Sequence, residues 1–207
     1  AAFGLEGQTM RDLKRLGAIN AQTMNVGGAT FEGDFAMGFA ANLWLRTADR
    51  VLLVLAEFDA RSFQDLFEGV KAIEWERYIP VDGAFPVRAR CVRSQLMSES
   101  DTQSIVKKAV VERLKKTHRV EWFAETGVTI AIDVHIRNDR ATISLDSSGT
   151  PLSKRGYRTW NGEAPIRETL AAGLVLASGW HPWQPLIDPC CGTGTLLIEA
   201  AFIALAR

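Results

Sequence analysis

The stretch Leu186-Ile-Asp-Pro-Cys-Cys-Gly-Thr-Gly-Thr195, running into Leu196-Leu-Ile-Glu-Ala-Ala-Phe-Ile-Ala-Leu205, constrains this chain more than any other. It reads as the end of an apolar strand, a glycine turn and the start of a helix. The strand end delivers Asp188. Gly192 and Gly194 remove side chains where the backbone must bend, and the first helical turn offers N–H groups with no partner inside the helix. A connection of this kind builds one side of a nucleotide-type pocket.

The spacing separates two ligand classes. A dinucleotide fold wants G-x-G-x-x-G, with its acid about 20 residues later on the ribose. Here Leu197 stands at the third glycine position and an acid is already present at Asp188, which argues against a pyrophosphate ligand. Asp-Pro-Cys-Cys-Gly-Thr-Gly-Thr resembles the first motif of S-adenosylmethionine-dependent methyltransferases, in the branch that modifies exocyclic amino nitrogens. That resemblance implies S-adenosyl-L-methionine as cofactor, with Asp188, Cys190, Gly192, Gly194 and Thr195 at its methionine end. It also implies a catalytic Asn/Asp-Pro-Pro-Tyr/Phe string, which does not occur in these residues. The chain thus reads as part of a longer protein, with its catalytic residues expected beyond Arg207 and no methylation expected from this part alone.

No apolar run approaches 18 residues, and the amino end lacks the charged-then-apolar order of a secretory signal, so a soluble, cytoplasmic protein without a membrane partner is expected. Three cysteines, two of them adjacent at Cys190 and Cys191, give neither a disulfide framework nor a metal spacing. They read as small residues packed beneath the cofactor, with no metal.

The net charge is zero, with 24 cations and 24 acids, but the average hides an asymmetry. Between Pro86 and Arg119 nine Lys and Arg (Arg88, Arg90, Arg93, Lys107, Lys108, Arg113, Lys115, Lys116, Arg119) face three acids, leaving the remainder of the chain at −6. Such separation is the footprint of a phosphate-binding face; a solvated basic helix is the plainer alternative. Residues 85–93 alternate apolar Val87, Ala89 and Cys91 with Arg88 and Arg90, as a half-buried strand does. Ser98 then starts a helix on which Ile105, Val106, Ala109, Val110 and Leu114 share one face and Lys107, Lys108 and Lys115 lie elsewhere. Strand and helix are expected to build one basic side, with Arg88, Arg90, Arg93, Lys107, Lys108 and Lys115 as RNA contacts.

The remaining elements follow from periodicity. Val128 to Ile136, the turn Asn138-Asp139 and Ala141 to Leu145 predict a hairpin, with His135 on its polar face and given no role. A helix over 6–16, a strand near 29–31, a helix over 36–48, a strand over 50–56 and a helical face of Phe63, Leu66, Phe67 and Val70 precede it. Ser147 to Pro151 breaks the pattern, and Lys154, Arg155, Tyr157 and Arg158 set cations beside an aromatic ring, so Arg155 and Arg158 are candidate RNA contacts or else packed connectors. Ala164-Pro165 opens a helix whose apolar face is expected to be Ile166, Leu170, Leu174 and Ala177, with Arg167 and Glu168 as an exposed pair.

In this order, Gly4-Leu-Glu6, Asn42 to Arg50, the basic strand–helix, Asp146-Ser-Ser-Gly149, Lys154-Arg-Gly-Tyr-Arg158 and Ala164-Pro-Ile-Arg-Glu-Thr-Leu-Ala-Ala172 resemble the bacterial THUMP-domain RNA guanine-N2 methyltransferases. The resemblance implies an α+β N-terminal half, with a ferredoxin-like part over 1–44 and a THUMP RNA-binding domain over 45–148. A linker over 149–163 would follow, and then the beginning of an α/β Rossmann-like methyltransferase domain over 164–207. It further implies that Pro165, Ile166, Arg167, Glu168 and Thr169 close one side of the cofactor site. The implied activity is methylation of a guanine N2 in structured RNA, foremost 23S ribosomal RNA. A transfer-RNA enzyme, a DNA-adenine or protein-glutamine methyltransferase, and a non-catalytic RNA-binding module remain the alternatives.

Overall fold

The computed structural model describes residues 1–24, 27–159, 162 and 164–205. The chain divides into two compact units, one of Ala1–Val51 with Thr150–Arg207 and one of Leu52–Gly149. The first is discontinuous, and the second is inserted into it.

In the first unit α1 (Glu6–Arg15) precedes a hairpin of β1 (Ile19–Met24) and β2 (Gly28–Glu32), and α2 (Phe35–Trp44) follows, its N-terminus capped by the Asp34 carboxylate accepting from the Met37 amide. Leu13, Ala41, Leu45, Ala48 and Val51 form one buried cluster. The expected end of this part at residue 44 is therefore too early, because Leu45, Ala48 and Val51 belong to the same core. The helix expected over 36–48 stops at Trp44, where Leu45 turns extended (ψ 117°) and carries its side chain inward. β1 had no sequence signal, since nearly all of it is solvent-facing and no alternation marks it.

The returning segment supplies α5 (Glu168–Ala177) and α6 (Thr195–Ala204), which pack on each other. Two expectations fail here. The helix opens at Glu168, not at Ala164, and its buried side is Glu168, Thr169, Ala171, Ala172, Gly173 and Val175, while Leu170 and Leu174 face out. Small residues win this face because Gly173 lies against the Leu5 side chain, where an added Cβ would come within 2.3 Å of a methyl. The strand expected ahead of Asp188 is not formed: residues 185–188 have no ladder partner among the described residues, and Ile187 is 83% exposed. A strand exists only by pairing, and β1 and β2 pair solely with each other. The last residues of the expected linker (Trp160, Asn161, Glu163) and of the expected final domain (Ala206, Arg207) lie outside the described residues.

The second unit is a four-stranded sheet in the order β3-β6-β5-β4, built from β3 (Leu52–Asp59), β4 (Val87–Val92), β5 (Ile132–Arg137) and β6 (Arg140–Asp146). β3 and β5 run antiparallel to β6, whereas β4 is parallel to β5. A parallel pair needs a crossover, and α4 (Glu99–His118) provides it. Ser98 caps α4, and Ser62 with Asp65 forms a reciprocal capping box on α3 (Phe63–Lys71). Residues 128–131 contribute only a single bridge, Ala84 to Thr129, so β5 starts later than the alternation suggested.

Among the described residues, α3 and α4 pack on one face of this sheet. Ile132, Val134 and Ile136 of β5 and Ala141, Ile143 and Leu145 of β6 bury against Leu66, Val70, Val106, Ala109, Val110 and Leu114. Trp75 is fully buried, and its indole N–H donates to the Val70 carbonyl at 2.8 Å, closing the end of α3. Trp75→Ala is expected to cost about 3–5 kcal/mol, and Trp75→Phe less, through loss of that bond and the smaller void that a phenyl ring leaves. Urea unfolding of the intact chain measures both; a Trp75→Ala cost below about 1 kcal/mol would contradict this packing.

Candidate functional site

The glycine turn is formed although no strand feeds it. Asp188 Oδ1 accepts from the Cys190 amide at 3.1 Å, and the Gly194 amide donates to the Cys191 carbonyl at 2.7 Å. Gly192 (φ +54°) and Gly194 (φ +72°) both occupy the left-handed region, which glycine enters without strain. A Cβ at either position would meet nothing nearer than 4.0 Å, so the space beside both is open. Gly194 is the residue before α6, and no side chain caps that helix. Open space against a bent backbone, with uncapped N–H groups behind it, suits the amino-acid end of a ligand that must lie close to the chain. Cys190 and Cys191 are exposed free thiols in this turn.

The second segment expected at the cofactor lies beside the turn. Pro165 and Arg167 are exposed and Ile166 is half-buried, while Glu168 and Thr169 are buried. Thr169 donates to Asp49 Oδ1 at 2.7 Å, fixing the start of α5 to the loop after α2. Glu168, expected at an exposed position, instead receives Arg158 Nε at 2.8 Å. A carboxylate carried inward by a helix start has to find a cation, which removes it from the surface.

Arg155 and Arg158 are likewise not surface residues. Arg155 Nε lies 2.9 Å from Glu199 Oε1, and Arg155 donates to the Arg46 carbonyl at 2.7 Å. Tyr157 donates to the same Glu199 oxygen at 3.2 Å. Arg158, besides Glu168, donates to the Thr193 and Thr195 hydroxyls and to the Ile166 carbonyl. The expectation of RNA contacts at these two arginines is corrected: both guanidiniums are occupied inside the first unit. Glu199 is fully buried, and burial pushes its carboxyl above the usual range against the pull of Arg155, Tyr157 and Arg46. Sequence reading passed over it, although a single acid in the apolar run Leu196 to Leu205 is a signal that a buried partner must exist.

The expected single basic side is also corrected. Val87, Ala89 and Cys91 pack toward α4, so the period of two sends Arg88 and Arg90 to the opposite face of the sheet from the helix lysines. Arg88 pairs at 3.2 Å with Asp146, whose side chain is only 1% exposed, on that opposite face. Arg90 stands in register with His135, and burial, then Arg90 itself, pushes the His135 imidazole below its ordinary pKa. Arg93 is exposed in a left-handed turn. On the helix side Lys107 is held by Glu125 at 2.7 Å and lies 3.7 Å from the centre of the Phe85 ring, and Lys115 reaches Glu121 at 3.3 Å. Lys108 is exposed, with no ion pair among the described residues.

Three family models cover the chain in sequence order. Residues 1–52 match the RlmL ferredoxin-like domain, 60–146 the THUMP domain and 155–207 the RMKL-like methyltransferase domain. The chain belongs to the THUMP-containing, RMKL-like methyltransferase family. Among its relatives is YpsC of Bacillus subtilis, named as a candidate RNA methyltransferase, 47% identical over 205 residues that span 98% of this chain and 53% of YpsC. Another is the ribosomal RNA large subunit methyltransferase K/L of Psychromonas ingrahamii, 43% identical over 99% of this chain and 27% of the relative. The chain thus spans about half the length of the first and about a quarter of the second. A Listeria monocytogenes structure labelled an N6-adenine-specific DNA methylase superposes with a TM-score of 0.91 at 47% identity, covering 99% of this chain and 53% of that one. SMU.472, a methyltransferase by label and solved in complex with SAH, gives 0.89 at 42%, covering 99% and 54%. Among the described residues there is no cluster of three or more metal-ligating side chains and no helix long and apolar enough to cross a membrane.

Arg155→Ala would leave Glu199 buried without its cation, and a cost of about 3–5 kcal/mol is expected. The folded-state pKa of Glu199 would then stand further above its unfolded value, so the deficit grows as pH rises through that interval and shrinks as pH falls toward the ordinary carboxylate range. Thermal melting of wild type and variant across pH measures this. A deficit independent of pH would rule out the buried pair as its source.

Proposed function

We propose that this chain forms the RNA-recognising part and one wall of the cofactor site of an S-adenosylmethionine-dependent methyltransferase that acts on the exocyclic N2 of a guanine in RNA, foremost 23S ribosomal RNA. The observation that carries the reading is the left-handed glycine turn at Gly192 and Gly194, open on its outer side and set against residues 165–169. Its presence in one chain with a THUMP domain directs the chemistry to RNA. The names of the K/L relative and of SMU.472 with its SAH support the same reading.

When bound, S-adenosylmethionine supplies an electrophilic methyl group on a sulfonium. The chain's own residues then bind and orient. Gly192 and Gly194 admit the amino-acid end of the cofactor to the backbone, and the α6 amides and Thr195 offer it donors. Pro165 to Thr169 close the neighbouring side, Cys190 lines the turn, and Asp188 holds its first bend. Transfer to an amine needs in-line approach above all, so the chain contributes proximity. A guanine inside folded RNA must be splayed out to reach such a pocket.

The RNA contacts fall on two faces. Arg88, Arg90 and Arg93 belong with the sheet, and Lys107, Lys108 and Lys115 with the helices, which suits recognition of shape and phosphate over sequence. Arg90→Ala or Lys108→Ala is expected to lower the log–log salt slope of RNA binding by about one, while Lys107→Ala lowers it less because Glu125 already neutralises it. Filter binding across salt concentrations reads this; an unchanged slope in the Arg90 and Lys108 variants would assign RNA binding elsewhere.

For the chemistry, the natural protein containing these residues is to be incubated with methyl-labelled S-adenosylmethionine and, separately, ribosomal RNA, transfer RNA, duplex DNA and release-factor protein. Label at guanine N2 in ribosomal RNA is the expected result. Label in DNA adenine or in protein alone would replace the proposal with the corresponding methyltransferase.

A further inference from the structure

Arg158 joins the two segments that flank the glycine turn. Its Nε donates to Glu168 Oε1 at 2.8 Å, Nη1 to Thr193 Oγ1 at 3.1 Å, and Nη2 both to Thr195 Oγ1 at 2.9 Å and to the Ile166 carbonyl at 3.2 Å. Its side chain is 16% exposed. Thr193 and Thr195 stand on either side of Gly194, and their hydroxyl oxygens are 3.0 Å apart, within hydrogen-bond reach of each other. One planar guanidinium therefore holds the two residues around the left-handed glycine and, at the same time, the backbone and carboxylate at the start of α5. Neither segment has another side-chain tie to the other among the described residues.

The protons can be followed. Arginine only donates, so both threonine oxygens accept from it, and a single hydroxyl proton serves the Thr193–Thr195 bond. The second hydroxyl proton is left to donate, next to the uncapped start of α6 and the open side of Gly194. The positive charge of Arg158 is already met by Glu168, so the fork serves less as a bare anion site than as a clamp that aims a hydroxyl and the helix amides. The same chain geometry places it there: Gly156, at φ +83°, turns the backbone between Arg155 and Tyr157, which go to Glu199, and the next residue is Arg158.

We infer that Arg158 is a positioning residue for the amino-acid end of the cofactor: its fork fixes the Thr193-Gly194-Thr195 turn to residues 166–168, and this geometry discriminates ligands that carry the aminocarboxypropyl group from those that lack it. The inference rests on the reading of the pocket as an S-adenosylmethionine site. A lysine would keep the charge but reach fewer acceptors, because a compact ammonium has no planar fork.

The test is calorimetry on the natural protein containing these residues with two probes, S-adenosylhomocysteine and 5′-methylthioadenosine, the second lacking the amino-acid group. Arg158→Lys is the main variant. Thr195→Val, which removes one acceptor with little change of shape, is the second in case the first does not fold as judged by circular dichroism. In either folded variant, affinity for S-adenosylhomocysteine is expected to fall by about tenfold or more, the equivalent of one charge-assisted hydrogen bond, while affinity for methylthioadenosine stays within about twofold. Equal loss of both ligands, or full retention of S-adenosylhomocysteine binding, would overturn the role of Arg158 and leave the pocket assignment standing. Failure of the wild-type natural protein containing these residues to bind either probe would overturn the pocket assignment and this inference together.

Discussion

The carboxylate of Glu199 determines more of this structure than any other group. It sits on α6 with no solvent access, and a charge in that position persists only if a cation and hydrogen-bond donors come to it. Arg155 and Tyr157 do so, and thereby hold the segment that re-enters the first unit. Once those two side chains face α6, the next residue, Arg158, lies between the glycine turn and the start of α5. The surroundings of the glycine turn are thus set by an acid buried on α6. Arg46, which donates to the Phe202 carbonyl, adds the amino-terminal half of the unit to the same assembly.

The second unit obeys a different constraint, one-sided burial of a sheet. Alternation along β4, β5 and β6 gives the helices every apolar residue except Val92 and gives the other face the charges. This rule also limits electrostatics. A strand cannot send its arginines toward the helix that its valines contact, so a run of cations close in sequence is divided between opposite surfaces. Most of the helix-side cations are then engaged locally, as in Lys71 with Glu112, Arg113 with Glu76 and Lys107 with Glu125. Arg140 on the open face is occupied in the same way by Glu57.

What the sequence made legible follows the strength of each local signal. The cap at Ser98 and the helix that follows it, the helical face of Phe63 to Val70, the hairpin around Asn138-Asp139 and the glycine turn were all readable, because each rests on short-range chemistry. The face of α5 was misread because Leu170 and Leu174 are larger than the residues that bury, and only the proximity of Leu5 to Gly173 selects small side chains there. The strand before Asp188 was legible as a pattern, but pairing is a long-range event that a pattern cannot supply. Arg155 and Arg158 were visible as cations beside a tyrosine; their partners, Glu168, Thr193, Thr195 and Glu199, lie 10 to 44 residues away along the chain.

The insertion of one unit into the other has a consequence for biosynthesis. Residues 1–51 emerge from the ribosome long before residues 150–205, with which they share a contact-defined unit, so the amino-terminal segment cannot complete its packing when it appears. The inserted unit can: all its strands lie within 52–146, and Leu52 pairs in register with Asp146, bringing its two ends together. Folding of the insert therefore shortens the effective loop separating the halves of the first unit from nearly a hundred residues to a short bridge, and the closure entropy of that unit falls accordingly. The module that carries Arg88 and Arg90 thus acts, in this order of events, as the bridge across which the module with the glycine turn closes.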